Sequence, residues 1–488
     1  MKNFKAPFVI LCLTFFITSC YKDNDDHPST NSSINDFVWK GMNSWYNWQL
    51  EVPELSDTKD DDTDAYEAYL NQFDSPKALF NSLRFQYAET DRFSWFVEDY
   101  IALQQQFQGI SKSFGLKFQA IQTHANGDVV LFVKYVANHS PGSKASIKRG
   151  DLINAINGSV LNINNLNDLA THLSNESVTL SFVSENNGVF SPLADKTIAS
   201  VVLSENPVHV TKVFPNINGK KVGYLVYNSF RTAYHDELNA AFSVFKNENI
   251  NILVLDLRLN GGGSVLTSAY LSSMIYADAG TDPFAILKFN DKHTNENHAY
   301  HFSNQLQVFD TNDVKIGVEE INRLNMLEGL YILTSDDTAS ASEMVINGLK
   351  PYMPSVKLVG TTTYGKNVGS ITLYDTPATD FQGRQLANPT HTKAMQPIVF
   401  QIFNKNGESD YTQGFNPDIE VEEAQYWNSI KAFGDENEVV LKAALDDIRG
   451  VTTKSNVSKL KPHKTLQVEA LSTRFEKEMY IENTTFNN

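Results

Sequence analysis

The chain has 488 residues, of which 41% are apolar and 11% aromatic, so it is long enough for two or three globular domains. Its formal charge of -17 argues against nucleic acid as a partner, because phosphate binding requires clustered lysine and arginine. The only cysteines, Cys12 and Cys20, lie near the N-terminus, so disulfides, cysteine nucleophiles and cysteine metal sites are not expected in the body of the protein.

Residues 1–20 have the pattern of a signal peptide, with two lysines before an apolar stretch that is too short to span a bilayer stably. The sequence Ile17-Thr-Ser-Cys20 resembles a bacterial lipobox, which implies that Cys20 becomes lipidated. An uncleaved or non-lipidated signal is the alternative. Residues 21–36 are polar and acidic and are expected to be a flexible tether. The expected location is the bacterial cell envelope, lipid-anchored, on the periplasmic face or the outer-membrane surface.

Residues 37–107 are rich in aromatic side chains at helical spacing, which predicts a small N-terminal helical domain with an aromatic core. An acidic cluster between Asp57 and Asp64 could suggest calcium. It lacks the glycine and the terminal glutamate of an EF-hand loop, and acidic residues at the start of a helix also explain it.

Residues 108–205 are expected to form a β domain, because segments 119–123 and 129–135 alternate as strands do. Together with the run Gly150-Asp-Leu-Ile-Asn-Ala-Ile-Asn-Gly158, they resemble a PDZ domain; a generic small β domain is the alternative. The resemblance implies a loop that holds the C-terminal carboxylate of a peptide while the peptide extends the sheet edge. It assigns that loop to Phe114, Gly115, Leu116, Lys117 and Phe118.

Residues 206–425 have the alternating strands and helices of an α/β domain. The near-continuous apolar run 250–256 predicts a buried strand, and the glycines 261–263 separate it from a helix that begins at Val265. Bare backbone N–H groups in such a loop could cradle phosphate or stabilise an oxyanion. A phosphate loop would require a following Gly-Lys-Ser/Thr, which is absent.

Residues 331–370 contain the candidate catalytic groups. An apolar run, 331–334, precedes the turn Ser340-Ala-Ser-Glu343 and a helical stretch, 344–350. This layout predicts a hydroxyl at a helix N-terminus, where unpaired N–H groups and the dipole favour negative charge. Ser340-x-x-Glu343 is also a capping box, which would begin a helix without any catalytic role.

Lys366 lies on a polar turn after the next apolar run, 356–360. A lysine can serve as the base for a serine nucleophile only if its ammonium loses its proton well below the pKa of roughly 10.4 of a free side chain. Burial supplies such a shift. A Ser/His/Asp triad is not excluded by composition, although no motif marks one.

Three blocks in this order resemble the tail-specific, or C-terminal processing, serine peptidases of family S41: Asp256-Leu-Arg-Leu-Asn-Gly-Gly-Gly263, Thr338-Ala-Ser-Ala-Ser-Glu343 and Gly365-Lys366. The resemblance implies an α/β multidomain protein with a ClpP/crotonase-like peptidase core. It assigns the nucleophile to Ser340, with Ser342 less favoured, and the general base to Lys366. The oxyanion donors would be Gly262 or Gly263 and the backbone N–H of Ala341.

Two positions depart from the family pattern. Ser370 stands where a glutamine often orients the lysine, and Asn367 replaces the usual glycine. We expect Ser370 to accept a hydrogen bond from the ammonium of Lys366 as a weaker orienting contact.

The remaining segments are less informative. His293, His298 and His301 lack a companion carboxylate pattern, so a solvated loop is expected there and no metal. Residues 426–488 are expected to form a C-terminal helix, 436–449, and a polar extension that wraps the body or is partly disordered.

The expected function is hydrolysis of peptide bonds in proteins that the PDZ-like domain presents, with no cofactor. Partners would be protein or peptide substrates, and the membrane through the lipid anchor. The alternatives are a non-catalytic peptide-binding envelope lipoprotein and a hydrolase of non-peptide esters or amides.

Overall fold

The computed structural model describes residues 34–310, 314–451, 462–468, 471 and 474–481. The proposed lipidation site Cys20, the signal and most of the tether lie outside these residues. Across the described part of the chain, every helix is too short or too polar to cross a membrane.

The helices are distributed along the described chain. They are α1 (Ile34–Trp45), α2 (Thr63–Leu70), α3 (Pro76–Ser82), α4 (Tyr100–Phe107), α5 (Pro141–Lys144), α6 (Leu169–Leu173), α7 (His235–Glu248), α8 (Val265–Ile275), α9 (Ala341–Leu349) and α10 (Val439–Ile448).

The strands of the first half are β1 (Trp95–Val97), β2 (Ile110–Ser113), β3 (Leu116–Gln122), β4 (Val129–Val136), β5 (Leu152–Ile156), β6 (Ser159–Val160), β7 (Ser177–Asn186), β8 (Val189–Pro192), β9 (Lys196–Ala199), β10 (Val201–Ser204), β11 (Val208–Ile217), β12 (Lys220–Tyr227), β13 (Ile252–Asp256) and β14 (Gly263–Ser264). Those of the second half are β15 (Pro283–Phe289), β16 (His298–His301), β17 (Gln305–Phe309), β18 (Lys315–Glu320), β19 (Gly329–Thr334), β20 (Val356–Gly360), β21 (Val368–Ser370), β22 (Leu373–Tyr374), β23 (Ala394–Gln396), β24 (Ile398–Phe403), β25 (Ile419–Glu420), β26 (Lys464–Leu466) and β27 (Met479–Tyr480).

A six-stranded sheet, in the order β11-β12-β13-β19-β20-β25, carries the candidate catalytic segment. Its strands from β12 to β25 are parallel, and β11 is antiparallel at one edge. Helices α7, α8 and α9 pack on one face and α10 on the other. Because both faces are covered, β13 and β19 are buried at every residue, as their apolar runs predict.

The N-terminal segment does not have a core of its own. Its large aromatic side chains, such as Trp39, Trp45 and Phe80, belong to the same apolar cluster as α7, α8 and α9. Asp62 caps α2 by accepting a hydrogen bond from the backbone N–H of Ala65 (3.1 Å), which is the helix-start role expected for an acidic cluster. Asp57 pairs with Lys292.

The β domain is an eight-stranded sheet with the path β26-β3-β4-β5-β7-β8, to which β6 and β9 are added. Helix α6 contributes Leu169 and Leu173 to its core. The edge of β3 is covered by β26, which comes from near the end of the chain.

The expectation of a solvated loop around the three histidines is wrong. The region forms β15 and β16, which pair with each other. His293 stacks on Trp45 with ring centroids 3.5 Å apart, and His298 and His301 each contact a backbone carbonyl. The described residues contain no group of three or more His, Cys, Asp or Glu that is placed to hold a metal ion.

Candidate active site

Ser340 lies at the junction between β19 and α9. It is fully buried and occupies the N-cap with φ +65° and ψ -116°, a backbone region that is costly for any residue with a Cβ. Ser340 and Glu343 are arranged as the capping box that the sequence predicts, but the Oγ of Ser340 makes no close hydrogen bond to any of the described residues. A buried unpaired hydroxyl on a strained backbone is unfavourable for stability, so this position carries two features that are typical of functional sites.

Ser342, the less favoured nucleophile, is placed differently. Its Oγ donates to the carbonyl oxygen of Asn260 (2.9 Å), so the hydroxyl serves to hold the helix against the glycine loop.

Glu343 joins the serine turn to the lysine turn. One carboxylate oxygen, Oε2, accepts from the backbone N–H groups of Ser340 (2.9 Å) and Lys366 (2.8 Å). The other, Oε1, accepts from the hydroxyl of Thr363 (2.6 Å) and the backbone N–H of Gly365 (2.7 Å). Burial raises the pKa of Glu343 to about 7, and these four hydrogen bonds lower it only in part. Sequence reasoning recognised Glu343 as a capping residue but missed its contact with residues 363–366.

The glycine loop approaches Ser340 closely. A Cβ on Gly262 would lie 2.7 Å from the Ser340 Cβ and 3.0 Å from the backbone nitrogen of Ala341. The N–H of Gly262 donates to Oδ1 of Asn260 (2.9 Å), whose side chain is held by the carbonyl of Tyr227 (2.9 Å). Of the two glycines assigned to the oxyanion site, Gly262 therefore has its N–H engaged, and Gly263 pairs with Met479 in the ladder between β14 and β27. Ala341 is the first residue of α9, where the backbone N–H has no acceptor within the helix.

Lys366 is fully buried beside this turn. Its Nζ donates to the carbonyl oxygen of Lys477 (2.9 Å) and to Oε2 of Glu478 (3.1 Å), and it lies 4.9 Å from the ring centroid of Phe93. In this conformation, Lys366 makes no hydrogen bond to the Oγ of Ser340. The structure brings the two turns together but directs the ammonium to the end of the chain.

Ser370 also contacts the end of the chain. Its Oγ donates to the carbonyl oxygen of Met479 (3.2 Å). The expected Ser370 to Lys366 contact stays a prediction.

The loop assigned to peptide carboxylates lies where β3 begins. Gly115 has φ +71°, and its N–H donates to the hydroxyl of Ser113 (2.9 Å). Phe114 and Phe118 are buried in the core of the β domain, next to the partly buried Leu116. Lys117 forms an ion pair with Glu476 (3.4 Å), again a residue from the end of the chain.

A buried ion network anchors the strand that leads to the glycine loop. Arg258 donates to Asp256 (2.7 and 3.0 Å), Glu438 (2.9 Å) and Glu423 (2.8 Å), and Arg149 of the β domain also pairs with Glu423. Although burial raises the pKa of Glu423, Arg149 and Arg258 lower it to about 2. Glu423 therefore stays ionised at neutral pH, and its two arginine partners connect the β domain to the central sheet.

Comparisons with known proteins indicate the family of the chain. The profile "Peptidase family S41" matches residues 221–421, and "Peptidase S41 N-terminal domain" matches residues 33–95. A Staphylococcus aureus (strain COL) protein named as a CtpA-like serine protease is 26% identical over 341 residues, which are 69% of this chain and 58% of that protein. A Staphylococcus epidermidis protein of the same name is 26% identical over 226 residues, 46% of this chain and 38% of its own length. The chain thus spans less than two thirds of these relatives.

A solved structure is similar over a larger share. A Bacteroides fragilis NCTC 9343 protein named as an S41 protease aligns with 86% of this chain and 98% of its own, at a TM-score of 0.66 and 27% identity. Because the two S41 models together match more than half of its residues, this chain belongs to peptidase family S41, a family of serine-type peptidases.

Proposed function

We propose that the protein is a serine endopeptidase of the C-terminal processing type, with Ser340 as nucleophile and Lys366 as general base. The observation that carries this proposal is the shared oxygen of Glu343, which accepts from the backbone N–H groups of both Ser340 and Lys366 and holds their turns side by side. The unpaired Ser340 Oγ supports it, since a hydroxyl with no partner is available to a base.

In the proposed reaction, the Oγ of Ser340 attacks a peptide carbonyl while neutral Lys366 accepts the hydroxyl proton. The proton then passes to the leaving amine, and water hydrolyses the acyl-enzyme by the same route. The N–H groups of Gly262 or Gly263 and of Ala341 would stabilise the oxyanion, helped by the N-terminus of α9. For this chemistry, the Nζ of Lys366 must leave Glu478 and turn toward Ser340.

The β domain is proposed to present substrates as a PDZ domain does. Its strand β3 begins at a loop containing Gly115, and it accepts an antiparallel strand along its edge, which is the geometry of peptide addition to a sheet. Such binding would favour substrates with an unfolded C-terminal end.

Cleavage of an unfolded protein tests the proposal. Ser340→Ala and Lys366→Ala are each expected to abolish cleavage while a labelled substrate peptide still binds. Ser355→Ala and Lys357→Ala are matched controls, because both side chains are exposed at the opposite end of the parallel strands and should leave cleavage intact. If the unaltered protein cleaves no unfolded protein over a broad pH range but binds peptides, it is a peptide-binding module without catalysis. If esters or small amides are turned over and peptides are not, the substrate class is wrong.

We also propose that the protein is anchored to the bacterial cell envelope through a lipid on Cys20, on the basis of the lipobox-like sequence alone. Labelling of growing cells with a fatty-acid probe should mark the unaltered protein. Cys20→Ala should lose the label and release the protein into the soluble fraction. A Cys20→Ala variant that stays in the membrane fraction would contradict the anchor.

A further inference from the structure

The last described residues of the chain lie at both places that a substrate would need: the edge of β3 and the turns of Ser340 and Lys366. We name residues 462–468, 471 and 474–481 the C-terminal segment. Its first part, β26, pairs antiparallel with β3, from Lys464 opposite Gln122 to Leu466 opposite Ala120. The side chain of Gln119 donates to the carbonyl of Leu466 (2.8 Å).

The same part of the segment also supplies apolar contacts to the β domain. Leu466, Val468 and Leu471 are half-buried against its core. An extended strand that pairs along an exposed sheet edge and places alternate side chains on the domain surface is bound as a peptide ligand is bound.

The second part of the C-terminal segment lies beside the catalytic turns. Strand β27 fills the gap between β14 of the glycine loop and β21, which follows Lys366, and is parallel to both. Met479, Tyr480 and Ile481 are buried there, and the ring of Tyr480 packs on Phe107 at a centroid distance of 4.0 Å.

The C-terminal segment occupies the reaction centre itself. The ammonium of Lys366 is hydrogen-bonded to Glu478 and to the carbonyl of Lys477, and an ammonium in an ion pair has no lone pair with which to accept a proton. A Cβ on Gly262 would lie 2.7 Å from the carbonyl oxygen of Glu478 and equally close to the Cβ of Ser340. The backbone of Glu478 therefore lies against the glycine loop next to the nucleophile.

We propose that the C-terminal segment is an intramolecular peptide ligand that keeps the active site closed until a substrate displaces it. The proposal rests on the proposed peptidase function. The proposal defines the chemistry of the ligand, which is an extended peptide that pairs with β3. Further along, this peptide places the carboxylate of Glu478 on Lys366, followed by the apolar side chains of residues 479–481. Substrates of the same pattern would compete best with the segment.

Gly261 offers a way to displace the C-terminal segment without shortening the chain. A Cβ there would lie 1.5 Å from the carbonyl oxygen of Glu476, and its other close neighbours are the carbonyl carbon of Glu476 and the nitrogen of Lys477. All three atoms belong to the segment. Gly261 does not have positive φ, so alanine fits its backbone conformation.

Two full-length variants, Gly261→Ala and Glu478→Gln, and a chain shortened by a stop after Val451 test the proposal. The control is Gly280→Ala, because Gly280 is exposed and a Cβ there would meet nothing closer than 4.0 Å. Two quantities are measured. The first is kcat/KM for an unfolded peptide substrate. The second, in a Ser340→Ala background, is the Kd of a fluorescent peptide with the sequence of residues 462–481.

In Gly261→Ala and in the shortened chain, we expect kcat/KM to be about tenfold higher or more and the peptide Kd to be lower by a similar factor. The reason is that the state with the segment displaced, which alone can bind substrate, is no longer a minor population. Glu478→Gln should show a smaller increase, since only the ion pair is lost. Gly280→Ala should match the unaltered protein.

Two results would overturn the proposal. Equal cleavage and equal binding in all variants would show that the segment does not compete with substrate, while leaving the peptidase function intact. Loss of activity with a lower Tm in both Gly261→Ala and the shortened chain would show that β27 is a permanent structural strand. If neither the unaltered protein nor any variant cleaves peptides, but removal of the segment tightens peptide binding tenfold, the peptidase function is wrong. The conclusion that the segment occupies the peptide-binding site would then remain.

Discussion

Replacing Glu343 by glutamine tests how the turns of Ser340 and Lys366 are held together. The carboxylate accepts four hydrogen bonds, two on each oxygen. A glutamine amide can accept on one side only. In one orientation, the amide oxygen accepts from the N–H groups of Ser340 and Lys366, and the NH2 group then faces the N–H of Gly365. In the flipped orientation, the NH2 group faces the N–H groups of Ser340 and Lys366.

At least one buried backbone donor is then left without an acceptor, at a cost of about 1–3 kcal/mol. At about 2.1 cal/mol/K per residue, the unfolding entropy of 488 residues is about 1 kcal/mol/K, so this cost corresponds to a fall in Tm of roughly 1–3 °C. Because the lysine turn loses part of its support, kcat should also fall, by about tenfold or more, with KM changed little.

The pH dependence supplies the sharper test. The pKa of Glu343 is raised from 4.5 to about 7 by burial. Below pH 4.5 the carboxyl is neutral in the folded and unfolded states, so its contribution to stability is complete. Between pH 4.5 and 7 the unfolded chain ionises while the folded chain does not, so stability is lost by about 3 kcal/mol over this window and remains level above it.

Glutamine does not titrate, so the Tm advantage of the unaltered protein over Glu343→Gln should be largest near pH 4.5 and shrink toward pH 7. Thermal unfolding at several pH values, paired with kcat and KM for one peptide, measures both effects. A Tm difference that is the same at every pH, or a variant with unchanged kcat, would refute the role assigned to Glu343.

Two further predictions concern stability. Ser340→Gly should raise the unfolding free energy by about 1 kcal/mol, because glycine tolerates φ +65° and the Oγ makes no close hydrogen bond, whereas a lower Tm would show that the hydroxyl stabilises the helix as a cap. Arg258→Met should cost about 3–5 kcal/mol, because it leaves Asp256 and Glu438 as buried carboxylates without their main cation. Arg449→Met, at a partly exposed pair, should cost less than about 1 kcal/mol, and equal losses in the two variants would contradict the importance of burial.

Local patterns predicted the catalytic segment well. The strand 331–334, the helix after Ser340 and the strand 356–360 all occur, with β20 at the predicted bounds, because apolar runs and turn residues next to each other in the chain decide these elements. The placement of Ser340 at a helix N-terminus followed from the same pattern. The hydrogen bonds from the turn of Lys366 to Glu343 could not be predicted from the sequence, because they depend on how two neighbouring strands pack.

The role of the chain end was not predicted beyond an extension that wraps the body or is partly disordered. Strand β27 has two residues, and its partners, β14 and β21, lie more than 100 positions away in the chain, so no local periodicity marks it. The histidine strand β16 was missed for a related reason, since its polar residues resemble a loop. The N-terminal aromatics indicated a core but could not show that this core is shared with the α/β sheet.

The most direct test of the Ser340 and Lys366 pair is to identify which residue a nucleophile-directed probe modifies. The Gly261→Ala protein is treated with a serine-reactive phosphonate probe, digested and analysed by mass spectrometry, beside the same protein with Lys366→Ala. One labelled peptide is expected, with the probe on the Oγ of Ser340, and no labelling is expected without Lys366. A probe on another serine, or labelling of Ser340 that does not depend on Lys366, would contradict the Ser340 and Lys366 pair.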